Sequence, residues 1–229
     1  MGTVVFDLDG TLADTSGDLI AATNTALDVL GHAPQLERGR DAATAFRGGR
    51  AMLRLAADRL GHDAPEVLVE AGFPLLLEAY GTAIDVHTQL YQGAADSDTG
   101  LVDSGYRVAV CTNKPEGLAR TLLDRLGMGA AFGALVGADT LPVRKPDPAP
   151  FRAAVTGAGG DPARSLLVGD TQTDRATAAA AGVPCVLVTF GPDGHGVAAL
   201  KPDALLDHFD ALPSLAARFL GAPGDARTV

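Results

Sequence analysis

The amino-acid sequence predicts a doubly wound α/β fold, built on a parallel sheet, with a helical domain inserted near its start. Five short apolar runs are too continuous for half-exposed strands and favour strands buried on both faces: "TVVF", "YRVAVCT", "ALVGAD", "SLLVGD" and "PCVLVTF". The last four runs alternate with stretches of helical spacing. By contrast, about ninety residues without a convincing strand separate the first run from the second.

The helices between the later strands are indicated by the residues at which they begin and end. "EGLARTLLDRLGMG" reaches Gly127, a residue type that favours the left-handed conformation just after a helix. Asp147 and Pro148 are a suitable N-cap and first helical residue. "TDRATAAAAG" ends in the same way at Gly182. This alternation predicts a Rossmann-like core with helices on both faces of the sheet.

The long gap after the first strand has the character of a separate helical domain. "SGDLIAATNTALDVLG", "RAMLRLAADRLG" and "PEVLVEAGFPLLLEAYG" each repeat apolar residues at helical spacing. We predict a core domain over residues 1–14 and 88–229, and a helical domain over 15–87. Because the insertion follows the first strand directly, we expect it to act as a cap over the residues at that strand's end.

The segment 91–105, "YQGAADSDTGLVDSG", is polar and acidic and has only Leu101 and Val102 as bulky apolar residues. "DSDTG" is faintly similar to a calcium-binding loop, but the later ligands and the glutamate of such loops are absent. The sequence therefore predicts a poorly formed surface helix or a loop here.

Composition limits the classes of partner. The chain has 229 residues, 47% of them hydrophobic, which is enough for a sizeable core. Its net charge of -10 repels nucleic acid and anionic membranes, so we expect neither as a partner. We expect no signal peptide, because the first predicted strand begins at Thr3, and no membrane-spanning segment. Cys111 and Cys185 both lie in strand-like apolar runs, so we expect them to be buried and reduced. We expect a cytoplasmic protein, a monomer or a homodimer.

Charged and polar side chains follow the predicted strands at the points where those strands end. Ligands of doubly wound sheets bind at that edge. Singly, each of these residues could be a turn, N-cap or surface residue. Together they are improbable without a cation, because burying a carboxylate costs roughly several kcal/mol. They are Asp7 and Asp9 after the first strand, Thr112 and Asn113 after the second, Lys145 before the fourth, and Asp170 and Asp174 after it.

Four motifs, "DLDGTLADT", "VCTN", "RKPDP" and "GDTQTDRATAAAAG", resemble those of the haloacid dehalogenase-like (HAD) hydrolases, specifically the aspartate-based phosphatases. The motifs occur in the family's order, the helical insertion matches the family's cap, and the resemblance covers nearly the whole chain. It implies a magnesium-dependent phosphatase that acts on a small anionic phosphorylated substrate through an aspartyl-phosphate.

The resemblance also implies roles for individual residues. Asp7 would be the nucleophile, Asp9 the general acid and base, and Lys145 the cation that neutralises the intermediate. The phosphate would be held around Gly10, Thr112, Asn113 and Lys145. The Mg²⁺ site would use the side chains of Asp7 and Asp170 and the backbone carbonyl of Asp9, with Asp174 behind them or on a metal-bound water.

Within the family, "DGTLADTSGDL" and "PDALLDHFDALP" are most similar to phosphoglycolate phosphatases, which implies hydrolysis of 2-phosphoglycolate to glycolate. In "FRGGR", Arg47 and Arg50 could grip the carboxylate of such a substrate, or they could be solvated helix-end residues. Three alternatives stay open: a phosphatase of other sugar phosphates or nucleotides, a β-phosphoglucomutase-like phosphomutase, and a non-catalytic binding or regulatory relative.

Overall fold

The structure is a computed structural model that describes residues 1–222. Residues 223–229, which the sequence analysis assigns to the core domain, lie outside the described residues. The chain forms two compact units. The core unit comprises Met1–Ala13 and the chain from Leu90 onward, and the helical unit comprises Asp14–Gln89.

The core unit is built on a parallel six-stranded sheet, which confirms the predicted fold class. In chain order the strands are β1 (Thr3–Phe6), β2 (Ala13–Asp14), β3 (Gln89–Leu90), β4 (Arg107–Cys111), β5 (Ala134–Val136), β6 (Ser165–Gly169), β7 (Cys185–Val188) and β8 (Ala204–Leu206). The sheet has the order β5-β4-β1-β6-β7-β8, and β2 pairs with β3 separately. All five predicted strands are present. Three strands were not predicted: the two-residue strands β2 and β3, and β8, a three-residue edge strand whose Leu205 is exposed.

The helical unit contains four helices: α1 (Ser16–Val29), α2 (Ala42–Ala45), α3 (Gly49–Leu60) and α4 (Pro65–Thr82). Their apolar faces pack on one another, with Leu27, Met52 and Tyr80 fully buried. The carboxylate of Asp18 in the first turn of α1 accepts a hydrogen bond from the backbone N–H of Thr88 at 2.9 Å. This contact ties the beginning of the unit to its end.

The core unit adds α5 (Ala94–Asp103), α6 (Glu116–Arg125), α7 (Pro148–Gly157), α8 (Gln172–Ala181) and α9 (Leu212–Leu220). The helix ends confirm the sequence signals. Gly127 and Gly182 follow α6 and α8 with φ near 75°, and the Asp147 side chain accepts the Ala149 N–H at 2.8 Å. Within residues 1–222, none of the helices is both long enough and apolar enough to pass through a membrane.

The two cysteines are free and fully buried, as predicted. Cys111 ends β4 and Cys185 begins β7, and both belong to the apolar layer that Phe151 of α7 forms on the sheet. Burial raises the pKa of each thiol to about 12. Both therefore stay protonated at neutral pH, and a protonated thiol is a poor nucleophile.

The prediction for segment 91–105 was wrong, because α5 is a regular helix with a buried face. Ala94, Ser97, Asp98 and Leu101 lie on that face at helical spacing, and only Leu101 is bulky and apolar. Packing of these small residues stabilises a helix that the hydrophobic pattern did not reveal. The Asp98 side chain is the unusual member, since only 2% of the residue is exposed and burial raises the pKa of its carboxyl group.

We expect Asp98→Ala to stabilise the protein above neutral pH, by about 1–2 kcal/mol, because it removes a buried carboxylate. Folding raises the pKa of Asp98, so the native state holds its proton more tightly than the unfolded chain. The contribution of the wild-type side chain to stability is therefore lost as pH rises, and the advantage of Asp98→Ala grows with pH. Urea unfolding between pH 4 and pH 8 measures this.

The matched control is Asp103→Ala, which makes the same change at an exposed position of α5. Both variants gain helix propensity, so the difference between them isolates the effect of burial. A difference that does not vary with pH would contradict the prediction.

Candidate active site

The site residues of the core unit are placed by the ends of neighbouring parallel strands. Asp7 directly follows β1, and its N–H donates to the carbonyl of Val168 in β6 at 2.9 Å. Thr112 follows β4 and donates in the same way to the carbonyl of Val136 in β5, also at 2.9 Å. The ladder thus continues one residue past each strand, and this fixes the backbone from which the polar side chains leave the sheet.

Three carboxylates lie together at this edge. Asp7, Asp170 and Asp174 each have a carboxylate oxygen within 4.8 Å of the other two, and all three residues are buried. Burial is the main reason that the pKa of Asp170 lies well above its ordinary value, and the charges of Asp174 and Asp7 add to it. Burial likewise raises the pKa of Asp7 to about 6, although Lys145 opposes the rise. A buried, oxygen-only cluster suits a hard divalent cation such as Mg²⁺.

Asp174 is held by the N-terminus of α8. Its Oδ2 accepts the Thr171 N–H at 3.1 Å, and the Thr171 hydroxyl accepts the N–H of Asp174 at 3.4 Å. These two bonds form a capping box. Burial acts to raise the pKa of Asp174, but the charge and hydrogen bond of Lys145, together with the hydrogen bonds from Thr171, outweigh it and the net shift is downward. Asp174 is therefore an ionised carboxylate in a fixed position.

Lys145 joins two of the acids. Its Nζ lies 3.0 Å from Oδ1 of Asp7 and 2.7 Å from Oδ1 of Asp174, and only 1% of its side chain is exposed. Burial lowers the pKa of Lys145, but the two carboxylates outweigh it, and the net shift is upward. The Asn113 side-chain amide donates to the Lys145 carbonyl at 3.0 Å, so it positions the lysine's backbone.

Gly10 occupies the turn after Asp9. Its φ is +81°, and a Cβ at this position would lie 2.2 Å from Oδ2 of Asp170. The Gly10 N–H donates to the carbonyl of Ala13 at 2.9 Å, which closes the turn. Any larger residue would have to displace a carboxylate of the acidic cluster, so the site requires glycine here.

Two side chains that contact this site were not predicted from the sequence. Lys114 Nζ lies 2.9 Å from Oδ1 of Asp9, and the Thr11 hydroxyl donates to Oδ1 of Asp170 at 2.9 Å. The chain has only three lysines, and Lys114 directly follows the "CTN" motif, which is the signal that could have revealed it. The backbone N–H of Lys114 donates to the Thr112 hydroxyl at 3.2 Å.

The two arginines proposed for substrate recognition belong to the helical unit and have different surroundings. Arg47 is exposed in the turn before α3. Arg50 makes a bidentate pair with Glu70, and its guanidinium lies 4.5 Å from the ring centroid of Phe73. Arg50 therefore links α3 to α4.

The core unit is thus a doubly wound α/β protein with an acidic, cation-compatible cluster and two buried lysines at its strand ends. The chain belongs to the haloacid dehalogenase-like hydrolases, whose family model matches residues 1–182. This finding confirms the family that the four sequence motifs indicated.

Several relatives match almost the whole chain. A phosphoglycolate phosphatase of Mesorhizobium japonicum is 39% identical over 96% of this chain and 97% of its own length. One from Rhodospirillum rubrum is 40% identical over 91% of this chain and 88% of its own. The crystal structure of a predicted phosphoglycolate phosphatase from Haemophilus somnus 129pt has a TM-score of 0.82 and 27% identity, covering 94% of this chain and 97% of that one.

We expect Gly10→Ala to destabilise the protein by about 2–4 kcal/mol, because left-handed strain adds to overlap with Asp170. The matched control is Gly127→Ala, where φ is +75° and nothing lies within 4 Å of the added Cβ. That variant carries the strain alone and should cost about 1 kcal/mol. Urea unfolding compares the two, and equal losses would show that the close approach of Asp170 is unimportant.

Proposed function

We propose that this protein is a magnesium-dependent phosphatase that hydrolyses 2-phosphoglycolate to glycolate and phosphate through an aspartyl-phosphate. The observation that carries this proposal is the contact of Asp7 with Lys145 inside the acidic cluster. A carboxylate nucleophile, a cation and candidate metal ligands stand together there. The names of the relatives support the choice of substrate.

The metal is assigned from the chemistry of the cluster. We propose that the side chains of Asp7 and Asp170, the backbone carbonyl of Asp9 and, behind them, Asp174 hold Mg²⁺. Burial raises the pKa of Asp7 and of Asp170, the neighbouring carboxylates add to the rise, and a divalent cation bound there would favour the ionised form of both. When bound, the ion supplies positive charge that lowers the repulsion between an anionic phosphate and a carboxylate nucleophile.

The reaction then has two displacements at phosphorus. In the first, an Asp7 oxygen forms a bond to phosphorus while the bond to the leaving oxygen breaks, and Asp9 donates its proton to that oxygen. In the second, water attacks the phosphorus of the aspartyl-phosphate, Asp9 takes a proton from the water, and the Asp7 carboxylate is released. Asp9 thus ends each cycle in the protonation state in which it began.

Phosphoryl oxygens need positive charge and hydrogen-bond donors in both steps. Lys145 is well placed for this, because its ammonium already lies at 3.0 Å from the nucleophile. The Thr112 hydroxyl can donate to the phosphate, and Gly10 provides the turn. The side-chain amide of Asn113 donates a hydrogen bond to the carbonyl of Lys145, so we propose that Asn113 acts by positioning that lysine.

The first test is phosphate release from 2-phosphoglycolate and from a panel of sugar phosphates and nucleotides, with magnesium and with chelator. We expect magnesium-dependent release with the highest kcat/KM on 2-phosphoglycolate. Asp7→Asn should reduce kcat by at least about 10⁴-fold, because the amide cannot act as the nucleophile.

Asp103→Asn, the same change at an exposed position, is the control and should leave kcat unchanged. Broad, weak activity on the panel would contradict the assigned substrate. Full activity of Asp7→Asn would contradict the aspartate mechanism itself.

The arginines of the helical unit are the proposed carboxylate-binding side chains. We expect Arg50→Ala or Arg47→Ala to raise KM for 2-phosphoglycolate by about 10-fold or more, and to have little effect on a phosphate ester without a carboxylate. Steady-state kinetics on both substrates measure this.

Arg54→Ala is the matched control, because Arg54 lies on α3 and makes the same bidentate type of pair, with Glu66 on α4. Equal losses on the two substrates, or an equal effect in Arg54→Ala, would remove the reason to assign either arginine to the carboxylate.

A further inference from the structure

Lys114 is a buried cation that the residue roles above do not use. Its Nζ lies 2.9 Å from Oδ1 of Asp9, with 4% of the lysine side chain and 18% of the aspartate side chain exposed. A buried ammonium is costly unless a carboxylate partner and good geometry compensate for it. The Lys114–Asp9 pair is therefore a buried ion pair of the site, unlike the solvent-exposed ion pairs of the surface.

The backbone of Lys114 is fixed from both sides. Its N–H donates to the Thr112 hydroxyl at 3.2 Å, and its carbonyl accepts the N–H of Ala138 at 2.9 Å. Ala138 follows β5 and Thr112 follows β4, so the turn is anchored to two neighbouring strand ends. Because the backbone of Lys114 is held in this way, the position of its ammonium group is well defined.

The two site lysines contact different acids. Lys145 contacts Asp7 and Asp174, which belong to the acidic cluster. Lys114 contacts Asp9, whose side chain is not one of the three in that cluster. The ammonium of Lys145 therefore contacts the proposed nucleophile, and the ammonium of Lys114 contacts the proposed general acid and base.

We propose that Lys114 is a positioning residue that fixes the orientation of the Asp9 carboxyl group for proton transfer to the leaving oxygen. This inference rests on the proposed phosphatase function. An ammonium on Oδ1 restricts rotation of the carboxyl group about its Cβ–Cγ bond. Proton transfer needs such restriction, because donor and acceptor must lie within hydrogen-bond distance at the moment of bond cleavage.

The test uses two substrates that differ in their need for a proton. The leaving alkoxide of 2-phosphoglycolate needs one, whereas p-nitrophenolate leaves readily without it. With saturating magnesium, Lys114→Met should lower kcat/KM on 2-phosphoglycolate by about 10²-fold, within the range of general acid catalysis, and on p-nitrophenyl phosphate by less than about 5-fold. The comparison uses kcat/KM because it covers only the steps up to the aspartyl-phosphate, whereas kcat also contains the hydrolysis of that intermediate, which both substrates share.

Asp9→Asn should show the same dependence on the leaving group, and Asp9→Asn combined with Lys114→Met should be no slower than Asp9→Asn alone. Lys201→Met is the control, because Lys201 is the remaining lysine and is exposed. If Lys114→Met does not fold, Lys114→Gln should give the same pattern with a smaller loss, since its amide can still donate to Asp9.

Three results would overturn the inference: equal losses of kcat/KM on both substrates, a rise in KM at unchanged kcat, or multiplicative effects in the double variant. The first two would instead make Lys114 a direct phosphate ligand or a structural residue. If the wild-type enzyme releases phosphate from neither substrate, the proposed function fails and this inference fails with it. If the wild-type enzyme is active and Lys114→Met loses activity equally on both substrates, only this inference is overturned and the proposed function stands.

Discussion

The site depends on one buried ammonium, that of Lys145, held between the carboxylates of Asp7 and Asp174. These three residues come from three separate parts of the chain: the end of β1, the loop before α7, and the first turn of α8. Removing one partner of a buried ion pair costs roughly 3–5 kcal/mol, because the other charge is left uncompensated. The pairs therefore bind the sheet edge together and place the proposed nucleophile beside a cation.

Among the described residues, the acids of this edge outnumber the lysines that contact them. Four carboxylates, those of Asp7, Asp9, Asp170 and Asp174, face the two ammonium groups of Lys114 and Lys145. With every group ionised, the set has an excess of two negative charges. Burial is the main cause of the raised pKa values of Asp7 and Asp170, and the charges of the neighbouring carboxylates add to it. A divalent cation carries the matching charge, and carboxylates are ligands that Mg²⁺ prefers.

Much of this arrangement could be predicted from the sequence, because parallel strands deliver their carboxyl ends to one edge. That rule was sufficient to bring together Asp7 and Asp170, whereas Lys145, which lies in the loop between β5 and α7, was indicated by the "RKPDP" motif. It was not sufficient for Lys114, since adjacency to Asn113 does not tell which acid the ammonium contacts. Nor could it predict the pairing of Arg50 with Glu70, which depends on how α3 packs against α4.

The missed helix α5 shows why a buried carboxylate alone does not identify a site. Asp98 is as little exposed as the acids of the cluster, and its pKa is likewise raised by burial. Its Oδ1 accepts a hydrogen bond from the backbone N–H of the next residue, Thr99, as Oδ1 of Asp7 does from Leu8. Asp7, by contrast, meets Lys145 and Asp174, which are distant in the sequence. Charged groups from several strand ends converge in a binding site for an anion and a cation. A single carboxylate buried on a helix face, such as that of Asp98, lacks this convergence.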